Sequence, residues 1–120
     1  MSIYFHDTYA LIKIVTGEES YERYDQYDLV TTKLTLMEVY YYRIRSGFKD
    51  AEKIFSIFES SCVDITNEII YEAMKFKLEH NKMSISYVDA IGYTIAKKEG
   101  MKFLTGDEAF KNMKNVEFVK

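Results

Sequence analysis

The sequence predicts an α/β domain in which helices cover both faces of a parallel sheet. Two observations carry the prediction. Short apolar runs of strand length alternate with longer segments whose apolar residues recur at helical spacing, the order that βαβ crossovers require. The chain also has 120 residues, 48% hydrophobic and 29% charged, with no linker, repeat or low-complexity tract, so it can bury one core. Residues 1–120 are therefore read as a single domain.

The elements follow in order. Ile3–His6 is a first strand, and Thr8–Val15 a helix ended by Gly17. Residues 18–27 are polar and read as a short helix or a loop. Residues 29–31 form a short strand. Residues 35–45 have helical character and stop at Ser46-Gly47. Phe48, Ala51, Ile54, Phe55 and Phe58 then recur at helical spacing, so the segments flanking Gly47 make a helical hairpin. Residues 62–65 are β-like. Thr66 caps a long helix carrying Ile69, Ile70, Ala73, Met74 and Leu78. Residues 86–98 are a further helix, closed by Gly100. Lys102–Thr105 is a buried strand, residues 108–113 a short helix, and residues 116–119 a final strand.

Bulk properties narrow the function classes. A net charge of −3 gives no global pull toward nucleic acid, so such a substrate would depend on local lysines, arginines and bound metal. No apolar stretch approaches a membrane span. The start is acidic by residue 7 and lacks a basic segment followed by an apolar run, so no signal peptide is expected. Cys62 is the one cysteine; no internal disulfide can form, which fits a reducing cytoplasm. It reads as a small core residue. The high aromatic content, 11 Tyr and 8 Phe, is read mostly as packing.

Four acids stand at the edges of predicted elements: Asp7, Glu38, Asp89 and Asp107. A parallel sheet delivers strand ends and helix starts to one crevice. Carboxylates converging there would repel one another, and a divalent cation with oxygen ligands would relieve that repulsion and activate a water. Each acid also has a structural reading. Asp7 fits a helix cap beside Thr8. Thr35-x-x-Glu38 and Ser86-x-x-Asp89 fit the capping-box spacing, as does Thr105-x-x-Glu108. Asp107 fits an acidic helix start, with Glu108 as a neighbouring alternative ligand. Deeper in its helix, Glu38 would share a face with Tyr41, Tyr42 and Arg45, a stripe able to stack a base and reach a phosphate, or simply to pack. His6 reads as a satisfied buried histidine pointing away from Asp7, and His80 as a residue at a helix end. Lys33, Arg43, Arg45, Lys49 and Lys53 read as a solvated face. Glycine-rich phosphate loops, Cys-x-x-Cys, His-Glu-x-x-His and Gly-x-Ser-x-Gly are all absent from the sequence.

Taken together, these pieces resemble a family. Residues 5–12 (Phe-His-Asp-Thr-Tyr-Ala-Leu-Ile), Glu38 in the helix after the second strand, Tyr87-Val88-Asp89-Ala90, and residues 103–110 (Phe-Leu-Thr-Gly-Asp-Glu-Ala-Phe) are similar, in order and spacing, to PIN-domain ribonucleases, which include the VapC toxins of toxin–antitoxin pairs. The resemblance implies a PIN-like three-layer fold with a central parallel sheet of about five strands. It implies that Asp7, Glu38, Asp89 and Asp107 bind Mg²⁺ or Mn²⁺ and carry metal-dependent hydrolysis of RNA, with no side-chain nucleophile. Thr8 would orient Asp7 or a water; Arg45 and Glu108 are accessory candidates. A place in which some relatives carry a further acid is Ala109 here. The resemblance also implies a homodimer and an antitoxin partner lying along the hairpin of residues 34–58; the lone cysteine supports a cytoplasmic location. Two other classes compete: a non-catalytic PIN-like binding module that keeps the acids as caps, and another Mg²⁺-dependent α/β domain, either a phosphoacceptor receiver or a phosphatase. The second lacks its Asp-x-Asp, since Tyr9 stands in the third place.

Overall fold

The computed structural model describes residues 3–26 and 28–120. Residue 27, at the end of the polar segment, and residues 1 and 2 of the predicted domain lie outside them. The elements are β1 (Ile3–His6), α1 (Thr8–Val15), a 3-10 helix (Glu19–Gln26), β2 (Asp28–Val30), α2 (Lys33–Arg45), α3 (Ala51–Glu59), α4 (Asn67–Glu79), α5 (Tyr87–Lys98), β3 (Lys102–Thr105), a 3-10 turn (Glu108–Phe110) and β4 (Val116–Phe118).

The strands pair in the order β2-β1-β3-β4, all parallel. Phe5 stands opposite Val30 on one side and Phe103 on the other, so β1 and β3 are the inner strands. The chain leaves β1 for β2 on one flank and later returns to β3 on the other. The strand order therefore switches between β1 and β3, where parallel sheets open a crevice at their carboxyl ends.

The described sheet has four strands, not about five. Residues 62–65 contribute one bridge, between Thr31 and Cys62. The Thr31 N–H donates to the Ser61 carbonyl, and the Val63 N–H donates to the Thr31 carbonyl. Cys62 and Ile65 pack against the core, but Val63 and Asp64 between them are exposed and no further strand pairing forms among the described residues. The predicted short helix at 108–113 is likewise a single 3-10 turn.

Both sheet faces are covered. On one, Phe5 and Phe103 stack with ring centres 5.8 Å apart, beneath Ile91, Tyr93 and Ile95 of α5 and Ile69 and Ala73 of α4. Gly92 is what lets α5 lie this low: a Cβ there would stand 2.5 Å from the Phe5 ring. On the other face, Tyr4 and Leu104 pack with Ala10, Tyr21 and Tyr24, and Leu11 with Leu36 and Val39. The α2–α3 hairpin is closed by Arg43, which is no solvated residue. Its guanidinium donates two bonds to Asp50, at 2.8 and 2.9 Å, and lies 3.6 Å from the centre of the Phe48 ring. Among the described residues, no helix is long and apolar enough to cross a membrane.

Candidate active site

The crevice between β1 and β3 is built from strand ends and helix starts. Asp7 directly follows β1 and is buried. Its Oδ1 accepts the Ala10 N–H at 2.8 Å, capping α1, and its Oδ2 accepts the Thr105 hydroxyl. Thr105, the last residue of β3, also accepts the Asp107 N–H at 3.0 Å. One hydroxyl thus ties the first acid to the last. Asp107 in turn caps the 3-10 turn, its Oδ1 accepting the Ala109 N–H at 3.0 Å.

Gly106 holds this loop against α1. A Cβ there would clash with a Tyr9 ring carbon and stand 2.5 Å from the Val119 carbonyl oxygen. A larger residue would have to displace the Tyr9 ring or the loop that carries Asp107.

Asp89 lies in the first turn of α5. The cap residue Ser86 accepts the Asp89 N–H at 3.0 Å, which is half of a capping box; no reciprocal bond from the Ser86 N–H is present among the described residues. Glu38 is not a capping residue. Helix α2 starts at Lys33 and its cap is Thr32, so Glu38 sits inside the helix, where it accepts the Thr8 hydroxyl at 2.5 Å. Thr8 therefore orients Glu38, not Asp7.

Asp7 and Asp89 each feel the charge of other acids. Burial pushes Asp7 well above the ordinary carboxyl range, and the charges of Asp89 and then Asp107 add to it. Asp89 is pushed up to about 7, first by burial, then by Asp107 and Glu38. No lysine or arginine is among the groups that shift either acid. Asp7 accepts a bond on both oxygens, whereas Asp107 Oδ2 and Glu38 Oε2 accept no hydrogen bond among the described residues.

The accessory candidates stand apart. Glu108 is exposed and accepts Lys120 Nζ at 2.8 Å, which holds its carboxyl below its usual range. Arg45 ends α2 with its guanidinium 5.6 and 5.4 Å from the Tyr41 and Tyr42 rings. The sequence alone does not single out Thr105 as an organiser of the site: its pattern, a Thr closing a buried strand before Gly-Asp, reads equally well as a cap for Glu108. His6 is buried but only half satisfied. Its Nδ1 is 3.1 Å from the Tyr4 carbonyl, Nε2 has no partner among the described residues, and burial lowers its pKa to about 4. Cys62 is half-buried with its thiol pushed up by burial, which suits packing and not nucleophilic attack.

The donor set fits a hard divalent cation: four carboxylates, mutually repelling, two of them held near neutrality by burial. As placed, no three His, Cys, Asp or Glu side chains among the described residues are close enough together to hold an ion. Uncompensated carboxylates are expected to stand apart in this way.

Comparison with known proteins agrees with this architecture. The PIN domain family model matches residues 4–116. No curated protein matched. Solved structures share the fold, three of them as follows. A *Mycobacterium tuberculosis* VapC20 structure, described as a toxin that cleaves the sarcin–ricin loop, superposes with a TM-score of 0.79 at 19% identity, covering 98% of this chain and 99% of that one. A chain of a toxin–antitoxin complex from *Klebsiella pneumoniae* gives 0.76 at 17% identity, over 98% and 96%. A chain of VapBC2 from *Rickettsia felis*, bound to a promoter DNA fragment, gives 0.73 at 19%, over 98% and 99%. At such identities the likeness is one of fold. With the family model spanning nearly the whole length, the chain belongs to the PIN domain family.

Proposed function

We propose that this protein is a metal-dependent ribonuclease of the VapC toxin type. One observation carries the reading: Asp7 and Asp89, at the sheet's switch point, are both raised by burial and by the charges of neighbouring acids, Asp89 and Asp107 for Asp7, Asp107 and Glu38 for Asp89, with no basic group among the causes. A structural cap needs one accepting oxygen at a helix start. It does not need a second, third and fourth acid beside it.

The four acids would hold Mg²⁺ or Mn²⁺, since all-oxygen donors favour these over Zn²⁺. The bound ion would supply Lewis-acid activation of a water and charge neutralisation at the phosphate. The chain's own residues do the positioning. Thr105 fixes Asp7 against Asp107, Thr8 fixes Glu38, and the low, buried seat of Asp7 keeps bulk water from screening the cluster. Purified protein should cut labelled RNA with Mg²⁺ or Mn²⁺ and stop in chelator, and Asp7→Asn should be inactive with its fold intact. Cleavage that survives in the variant would assign it to a contaminant or another site.

Partners follow from two apolar surfaces. Between α2 and α3 a cavity of about 510 Å³ is lined by Lys33, Met37, Tyr40, Glu52, Phe55 and Ser56. An amphipathic segment of an antitoxin would lay its apolar face there. The outer side of α4 exposes Ile70, Tyr71 and Leu78, a surface suited to a second copy in a homodimer. A cytoplasmic location would give the protein access to an RNA substrate.

A further inference from the structure

A second concavity, of about 480 Å³, lies between the end of α4, Tyr93 and Lys97 of α5, and the segment after β3 that begins with Asp107. We propose that it receives one nucleobase of the RNA, on the nucleotide next to the scissile phosphate, and so sets the base preference of cleavage. The proposal rests on the ribonuclease reading above.

The cavity wall is the end of an aromatic column that runs out from the core. Phe103 meets Phe110 at 4.8 Å between ring centres, Phe110 meets Tyr93 at 5.6 Å, Tyr93 stacks on Phe76 at 4.8 Å, and Phe76 meets His80 at 4.4 Å. The column stops at the half-buried His80 ring, with the exposed Met83 beside the cavity. A flat, polarisable base would extend it by one more ring, and stacking of this kind is how proteins hold unpaired bases.

The polar groups suit a base edge and a phosphate. His80 Nδ1 lies 2.9 Å from the Phe76 carbonyl; donating there, a neutral ring presents Nε2 as an acceptor. Asn112 is exposed, and its amide makes no hydrogen bond among the described residues, so both its donor and its acceptor are available. Lys97 and Lys114 line the same cavity without an ion pair among the described residues. Of the two acids on the wall, Glu108 is neutralised by Lys120, leaving Glu79.

Its position ties it to the acids twice. Tyr93 follows Asp89 by one helical turn on the same face, about 6 Å along the axis. Glu108 and Ala109 on the cavity wall directly follow Asp107. The two elements that carry two of the acids thus also carry the pocket, so a phosphate at the acids would bring a neighbouring base to the column.

The test is the cleavage-position profile on random-sequence RNA, read by sequencing, for wild type, Asn112→Ala and Met83→Trp, together with binding of four labelled homopolymeric RNA hexamers to the non-cleaving Asp7→Asn protein with and without Met83→Trp. Both lining positions are exposed, and circular dichroism checks their folds. Wild type should prefer particular bases at one position flanking the cut. Asn112→Ala should level that preference, and Met83→Trp, which fills the cavity, should weaken the best hexamer roughly tenfold, the scale of one base–aromatic stack. A profile and hexamer affinities unchanged in both variants, with wild type still cleaving, would overturn the base pocket and leave the ribonuclease reading standing. A changed sedimentation profile with unchanged base preference would give the cavity to a contact between chains, again overturning it. Wild type that cuts no RNA with Mn²⁺ would remove the ribonuclease reading and this inference with it.

Discussion

Replacing Asp89 by Asn should stabilise the metal-free protein at alkaline pH while abolishing cleavage. The Asp89 carboxyl is raised from 3.8 to about 7, mainly by burial and then by Asp107 and Glu38. Its proton is held more tightly in the folded chain than in the unfolded one. The stability penalty is therefore absent below pH 4, grows as the pH rises, and is complete above pH 7. Three units correspond to about 4 kcal/mol at pH 8. Between pH 4.5 and pH 8 the gap between variant and wild type should widen by about 3 kcal/mol. Asp7 is raised by the same neighbour, so its relief adds in the same direction. The Asp89 N–H to Ser86 bond is a backbone donor and survives the change. Urea unfolding in EDTA at a series of pH values measures the gap, and added Mn²⁺ should stabilise the wild type far more than the variant. A variant less stable than wild type at pH 8 in EDTA would mean that Asp89 serves its helix and that the repulsion argument is wrong.

Thr8→Val should free Glu38 and lower cleavage roughly tenfold or more, since a hydrogen bond to a charged group contributes about 1.5–3 kcal/mol; Thr8→Ser should restore it, and equal rates for all three would detach Thr8 from the site. Gly106→Ala should cost about 1–3 kcal/mol in stability through overpacking against Tyr9 and lose cleavage as Asp107 shifts; thermal melts and the RNA assay read both. His6 should stay neutral through pH 5 and titrate near 4 in an NMR series, because its ring is buried. A folded-state midpoint near 6.5 would refute that burial.

Much of this was written in local chemistry. Apolar runs located β1 and β3, and the caps Thr66 and Ser86 set the starts of α4 and α5 because an accepting side chain at a helix start is a local device. The segment at 62–65 has the local signature of a strand, but pairing needs a neighbour, and among the described residues only Thr31 meets it. Glu38 shows the limit differently. Thr35 three residues before it mimics a capping box, yet the helix begins at Lys33, after Thr32, so register decided against the pattern. The bond from Thr8 to Glu38 spans 30 positions and that from Thr105 to Asp7 spans 98; neither has a local signature. His6 was expected to be satisfied, and its orphaned Nε2 depends on what surrounds the ring, which strand alternation does not report.

The central claim is that these four acids together take up a hard divalent ion. Anomalous scattering from crystals soaked in Mn²⁺ tests it most directly. The account predicts one strong peak in the crevice within coordination distance of Asp7, with Asp89, Asp107 or Glu38 drawn in as further ligands, and no such peak in Asp7→Asn crystals. An empty crevice at saturating Mn²⁺ in the wild type, or an undiminished peak there in the variant, would contradict it.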